Sequence, residues 1–201
     1  MKFRHALIVI ISFMLALLAT CSVQAKELTL INYANNYAEF SVGLPEAPSV
    51  RTLWADGEEK IPYLKNIPES GSIGEIAFYQ ETDYSTDDKF TVEVTFLKVS
   101  DDFISKTNKA TIFSMIKKDL AYLPKLENVN TKYDDTLNKP AKHAIVSGII
   151  TKKDKTTEFN SEHFLVGTES ILVIRVRFNN KNPKHYNLYK EITDTIKYLP
   201  L

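Results

Sequence analysis

Phe90, Val92, Val94 and Phe96 alternate with Thr91, Glu93 and Thr95, so an extended backbone here presents one apolar and one polar face. The stretch "EIAFYQE" precedes it across the polar loop Thr82 to Lys89, and the pair predicts a hairpin. Nearer the start, "ELTLINY" and "YAEFSVGL" flank Ala34, Asn35 and Asn36. Asn tolerates left-handed backbone angles, which makes a second hairpin the expected product. Its second strand puts Phe40, Val42 and Leu44 on a core face. "SVRTLWAD" adds a shorter extended segment before a loop rich in Pro, Gly and Ser. Past residue 140, "HAIVSGIIT", "TEFNSEHFLV" and "SILVIRVRF" read as three more strands. The last is apolar on both faces from Ile171 to Ile174, the pattern of a strand covered on two sides.

Between these blocks the period changes from two to that of a helix. Ser100 can cap, Asp101 and Asp102 suit the positive helix end, and Ile112, Met115, Ile116, Leu120 and Leu123 recur at helical spacing. One helix is predicted over about 101 to 122, stopped by Pro124, with "NVNTKYDDTLNKP" as a polar connection. Asn182 and Pro183 open a second helix with Leu188, Ile192, Ile196 and Leu199 on one stripe, and the chain is expected to end on it. The expectation is an α+β fold: an antiparallel sheet of about seven strands with a mid-chain and a C-terminal helix, layered as an α/β/α sandwich.

The first 25 residues change the compartment. Lys2, Arg4 and His5 precede an uncharged run from Ala6 to Ala19, which rises only about 21 Å as a helix, short of a bilayer core. This is the layout of a secretory signal, so the expected domains are a signal peptide, 1–25, and a single α+β domain, 26–201. Val23 and Ala25 fit the small-residue rule for ordinary cleavage after Ala25. "LATC", ending at Cys21, fits the lipoprotein rule except that Thr20 is larger than the usual residue. The first cut gives a periplasmic or secreted protein, and the second gives a chain lipid-anchored through Cys21.

Charge and cysteine narrow the function classes. The chain has 25 Lys and Arg against 25 Asp and Glu, and two of the basic residues lie in the leader. A near-neutral surface argues against nucleic acid or anionic lipid as partner. Cys21 is the sole cysteine, so cleavage after Ala25 leaves no thiol for a disulfide, a nucleophile or a metal.

"FSVGLP" at Phe40 to Pro45 resembles the strand-then-proline entry of the PsbP-like fold. "EHFLVGTESILVIRVRF" followed by "EITDTIKYL" is similar to that group's hairpin and closing helix. The resemblance covers most of residues 28 to 200 and rests on packing motifs. It implies an α/β/α sandwich serving as a binding or assembly module, without catalysis, and carries over no functional residue.

Candidate chemistry is sparse. His143, His163 and His185 have no ligand partner at three- or four-residue spacing and are expected at the surface or at strand ends. Glu162 adjoins His163, but neighbours on a strand point to opposite faces. Glu81, Asp83, Asp87 and Asp88 in "ETDYSTDDKF" lack the Gly and closing Glu of a calcium loop and read as solvated turn carboxylates, as do Asp134 and Asp135. There is no G-x-S-x-G, H-E-x-x-H or phosphate-cradling loop. Trp54, beside a turn, is a possible partner contact and otherwise a core residue. Lys117–Lys118 and Lys152–Lys153 suit a helix end and a hairpin loop. The expectation is a non-catalytic exported domain that binds a protein partner or small ligand, with no cofactor, no metal and no catalytic residues. The alternatives are a hydrolase or other enzyme with a dispersed site, and an envelope lipoprotein that assists assembly.

Overall fold

The computed structural model describes residues 30–34, 39–52, 74–83, 88–98, 101–120, 126–137 and 139–200. Seven strands form one antiparallel sheet: β3 (Ser49–Thr52), β4 (Gly74–Asp83), β5 (Asp88–Lys98), β9 (Ser170–Asn179), β8 (Thr157–Val166), β7 (Lys142–Thr151) and β6 (Leu126–Asp134), in that spatial order. Every neighbouring pair in that order is antiparallel. A smaller sheet holds β2 (Phe40–Leu44) between β1 (Ile31–Tyr33) and β10 (Lys197–Tyr198). Both hairpins expected before residue 100 are present, since β1 pairs with β2 and β4 with β5.

Alternation along the central strands builds two cores. Val92, Val94 and Phe96 of β5 and Leu172 and Ile174 of β9 pack with Phe40, Val42 and Leu44 of β2. Ile192 of helix α3 (Pro183–Asp194) joins this core, with Leu188 and Tyr189 packed against it. On the other face Leu97, Ala144, Phe164, Ile171 and Val173 meet Ile112 and Ile116 of helix α2 (Lys109–Leu120), with Ile104 of helix α1 (Asp101–Lys106) at the margin. Strand β9 is thus buried on both sides, as its doubly apolar run predicts. The sheet is the middle layer, with α1 and α2 on one side and α3 plus the small sheet on the other.

The structure corrects four expectations. The first two strands do not extend the main sheet but form the separate one with β10. The single helix over 101–122 is two: Thr107 N–H donates to Ile104 O, and Asn108 Oδ1 accepts from Thr111 N–H at 3.1 Å, so Asn108 starts a new helix. The C-terminal helix stops at Asp194, where Thr195 Oγ1 donates to Ile192 O. Ile196 and Leu199 therefore lie outside it, and the last element is β10 paired with Phe40 and Ser41. Finally, "LENVNTKYD" is the edge strand β6 rather than a connection. It has no alternating pattern because most of its residues are exposed, and it is bulged between Glu127 and Asn130 with Asn128 at φ 51°. No described helix is long and apolar enough to cross a membrane. The leader, with Cys21 and the cleavage sites, lies outside the described residues, as do Ser100, Leu123, Pro124 and the Pro/Gly/Ser-rich loop.

Candidate functional site

Two polar constellations stand out, on opposite faces of the main sheet. The first brings His143 and His163 together. Antiparallel register pairs Ile145 with His163 and His143 with Leu165, which makes the two imidazoles diagonal neighbours on the α3 face. His143 Nε2 lies 3.0 Å from His163 Nδ1, and His163 Nε2 lies 3.0 Å from the Tyr189 hydroxyl of α3. That hydroxyl is 2.9 Å from Ser161 Oγ. At the outer end Asp134 Oδ2 is 3.5 Å from His143 Nδ1.

Each ring and hydroxyl of this chain can donate once and accept once, whereas the carboxylate only accepts, so that end group fixes the direction. A carboxylate beside Nδ1 favours the His143 tautomer protonated there. Nε2 then accepts from His163 Nδ1–H, His163 Nε2 accepts from the Tyr189 hydroxyl, and that oxygen accepts from Ser161. Both rings are neutral. Burial pushes His143 down to about 4, against the pull of Asp134, and burial with the neighbouring His143 pushes His163 down to about 3. Burial raises the Tyr189 hydroxyl. Asp134 is desolvated, but hydrogen bonds from Thr136 and the nearby His143 and Lys132 hold its carboxyl below the usual range.

The surface placement expected for the histidines is therefore wrong: His143, His163 and His185 are 4, 2 and 8% exposed, although His143 does lie at the start of β7, while His163 is inside β8 and His185 in α3. Flanking apolar residues could not reveal this, because the pairing that joins residues 143 and 163 is a property of register. His185 sits apart, packed on Phe90 and Phe178 with Nδ1 3.7 Å from Asp88 Oδ1. Asp88 also accepts from Asn182 Nδ2 at 2.5 Å, so it serves the start of α3 rather than a solvated loop. Glu81 takes the Tyr79 hydroxyl at 3.4 Å, Asp83 pairs with Asp88 across the hairpin, and Asp87 lies outside the described residues. Among the described residues no three His, Cys, Asp or Glu side chains converge as a metal site.

The second constellation lies on the α1–α2 face, where these helices cover only the end of the sheet that bears Leu97, Ala144, Phe164 and Val173. Towards the β7–β8 turn the same face becomes polar. Glu93, Arg175 and Glu162 form one cross-strand row, and Thr91, Arg177 and Asn160 the next. Arg175 is clamped by two carboxylates, Nη1 to Glu93 Oε1 at 2.9 Å and Nη2 to Glu162 Oε2 at 3.4 Å. Glu162 and His163 do point to opposite faces, as expected of neighbours on a strand.

Beyond that clamp an open groove is lined by Lys89, Thr91, Lys152, Asp154, Thr156, Thr157, Glu158, Arg177 and Asn179. Gly148 lies beside it, paired with Asn160, and a Cβ there would come within 2.7 Å of Leu126 and 2.8 Å of Glu127 O. Only glycine lets β6 close over this point. The Lys152–Lys153 pair is in the hairpin turn, as its spacing predicts, with Lys152 Nζ 2.8 Å from Glu158 Oε2. Trp54 and Cys21, the contact and lipidation candidates, lie outside the described residues.

No family model matches the chain, and no curated protein matches it. Among solved structures it is similar to "LpqN involved in cell envelope biogenesis of Mycobacterium tuberculosis", with a TM-score of 0.46 and 12% identity over 86% of this chain and 90% of that one.

Proposed function

We propose that the chain is a non-catalytic exported domain that binds a protein partner or small ligand, and that its binding surface is the polar groove beside Arg177. One observation carries this reading: among the described residues the helical layer stops short, leaving the β5–β9–β8 end of the face with charged and hydroxyl side chains around an open concavity. Export rests on the leader, and the order of strands, mid-chain helices, further strands and closing helix supports a PsbP-like binding or assembly module. The rival hydrolase reading draws on the Asp134–His143–His163–Tyr189–Ser161 chain, which has the residue types of an acid–base relay. Its imidazoles are 4 and 2% exposed between the sheet and α3, which favours a role in holding α3 to the sheet.

A photocrosslinking residue placed at Thr156, on the groove, or at Ser114, on the exposed side of α2, tests the proposal in cells that make the protein. The groove position should give a discrete adduct and the helical position none. Adducts of equal yield from both positions, or from Ser114 alone, would refute it.

A further inference from the structure

We infer that the groove selects an oxyanion, a carboxylate or phosphate group on a small ligand, and that Arg177 is the residue that grips it. This rests on the proposed binding role of the groove and names the chemistry it takes. Two arginines stand two residues apart on β9 and face the same side, yet they are treated differently. Arg175 is matched by Glu93 and Glu162. Arg177 has Thr91 and Asn160 as its cross-strand neighbours, neither of them charged. Its side chain has no hydrogen bond or ion pair among the described residues; its Nε, like that of Arg175, is buried with no acceptor, but Arg175 has carboxylates on both terminal nitrogens and Arg177 has none.

A guanidinium held against a sheet with an unanswered N–H is a costly arrangement unless something supplies an acceptor. The other lining groups point to what that acceptor is. Three cations, Lys89, Lys152 and Arg177, face two carboxylates, Asp154 and Glu158. Both carboxylates are already occupied. Asp154 Oδ1 accepts from Thr156 N–H at 3.0 Å and Thr156 Oγ1 at 2.7 Å, closing its own turn. Glu158 takes Lys152 Nζ and Asn160 Nδ2 at 2.8 and 3.1 Å. Lys152 is held by Glu158 and Lys89 has a partner of its own, so the cation left over is Arg177, whose planar fork matches two oxygens of a carboxylate or phosphate, with Thr157 and Asn179 within the same groove for further hydrogen bonds. The single acceptor of a neutral amide or alcohol would use only part of that fork.

The arginine Nε–Hε resonance of Arg177, followed by NMR in the full chain, reads this site directly. Inorganic phosphate and acetate are the two probes, with chloride at matched ionic strength as control. The expected result is a saturable shift of Arg177 Nε–Hε and of the Thr157 and Asn179 amides with phosphate, acetate or both; which probe binds tighter separates a phosphate ligand from a carboxylate one. Arg177→Gln should weaken that binding at least tenfold. Arg177→Lys, which keeps the charge and protects against loss of fold, should restore only part of it. Shifts that chloride reproduces, or that survive unchanged in Arg177→Gln, would overturn the inference. If these probes fail while the Thr156 adduct still forms, the oxyanion assignment falls and the groove reading stands.

Discussion

Five donors converge on the carboxylate of Glu39, which is 1% exposed. Thr168 N–H and Oγ1 and the Tyr198 hydroxyl reach Oε1, and Glu169 N–H and Ser170 Oγ reach Oε2. Burial opposes its charge, but these bonds outweigh that cost and hold the carboxyl below its ordinary value. Glu39 therefore joins the β8–β9 turn to the C-terminal strand. It also explains Gly167, where a Cβ would lie 2.2 Å from Glu39 Oε2. Glu39→Gln turns two acceptor oxygens into one and sets an amide N–H against a donor. The expected loss is about 3 kcal/mol in urea unfolding at pH 7. In the sequence Glu39 looks like one polar position of an alternating strand, because its partners lie about 130 residues or more away. The burial of the histidines is hidden from the sequence for the same reason: contacts set by tertiary pairing leave no local signature.

At the scale of elements, the strands were legible wherever alternation was strong. The hairpins around residues 34 to 36 and 82 to 89 and the doubly buried β9 all follow from it. Failures came where a side chain competes with the backbone or where no core face exists. Asn108 divides what apolar spacing reads as one helix, because spacing does not register a cap in mid-pattern. Strand β6 is polar along most of its length, so periodicity had nothing to detect. If Asn108 caps α2, Asn108→Ala should lower stability by about 1 kcal/mol, and amide exchange should rise at Thr111 before the sheet is affected. A continuous helix through Thr107 would show no such local change.

Across the whole molecule, the buried His143–His163 pair makes stability depend on pH. Both have folded values below the ordinary 6.5, so the unfolded chain takes up protons first as pH falls. Their contribution is fully present above pH 6.5 and is lost between there and about 4 for His143 and about 3 for His163. For His143 this amounts to ~3 kcal/mol. The charged and titratable groups around the pair are Asp134, Lys132 and Tyr189, and Asp134, with its lowered carboxyl, adds a loss of the same sign at lower pH. Unfolding free energies at pH 7, 5.5 and 4.5 should fall steadily. His163→Gln keeps a donor and an acceptor without titrating and should flatten that fall; an unchanged slope would remove the pair from the explanation.

The fold was more legible than the site because core strands repeat a pattern. The groove, by contrast, depends on which of two similar arginines is left without carboxylates. Its role as the binding surface is the central claim, and blocking it sterically is the most direct test. Thr91 lines the groove and Ser114 lies on the exposed side of α2. With the crosslinker at Thr156, Thr91→Tyr should abolish the adduct while Ser114→Tyr leaves its yield unchanged. Equal yields in the two variants would contradict the account.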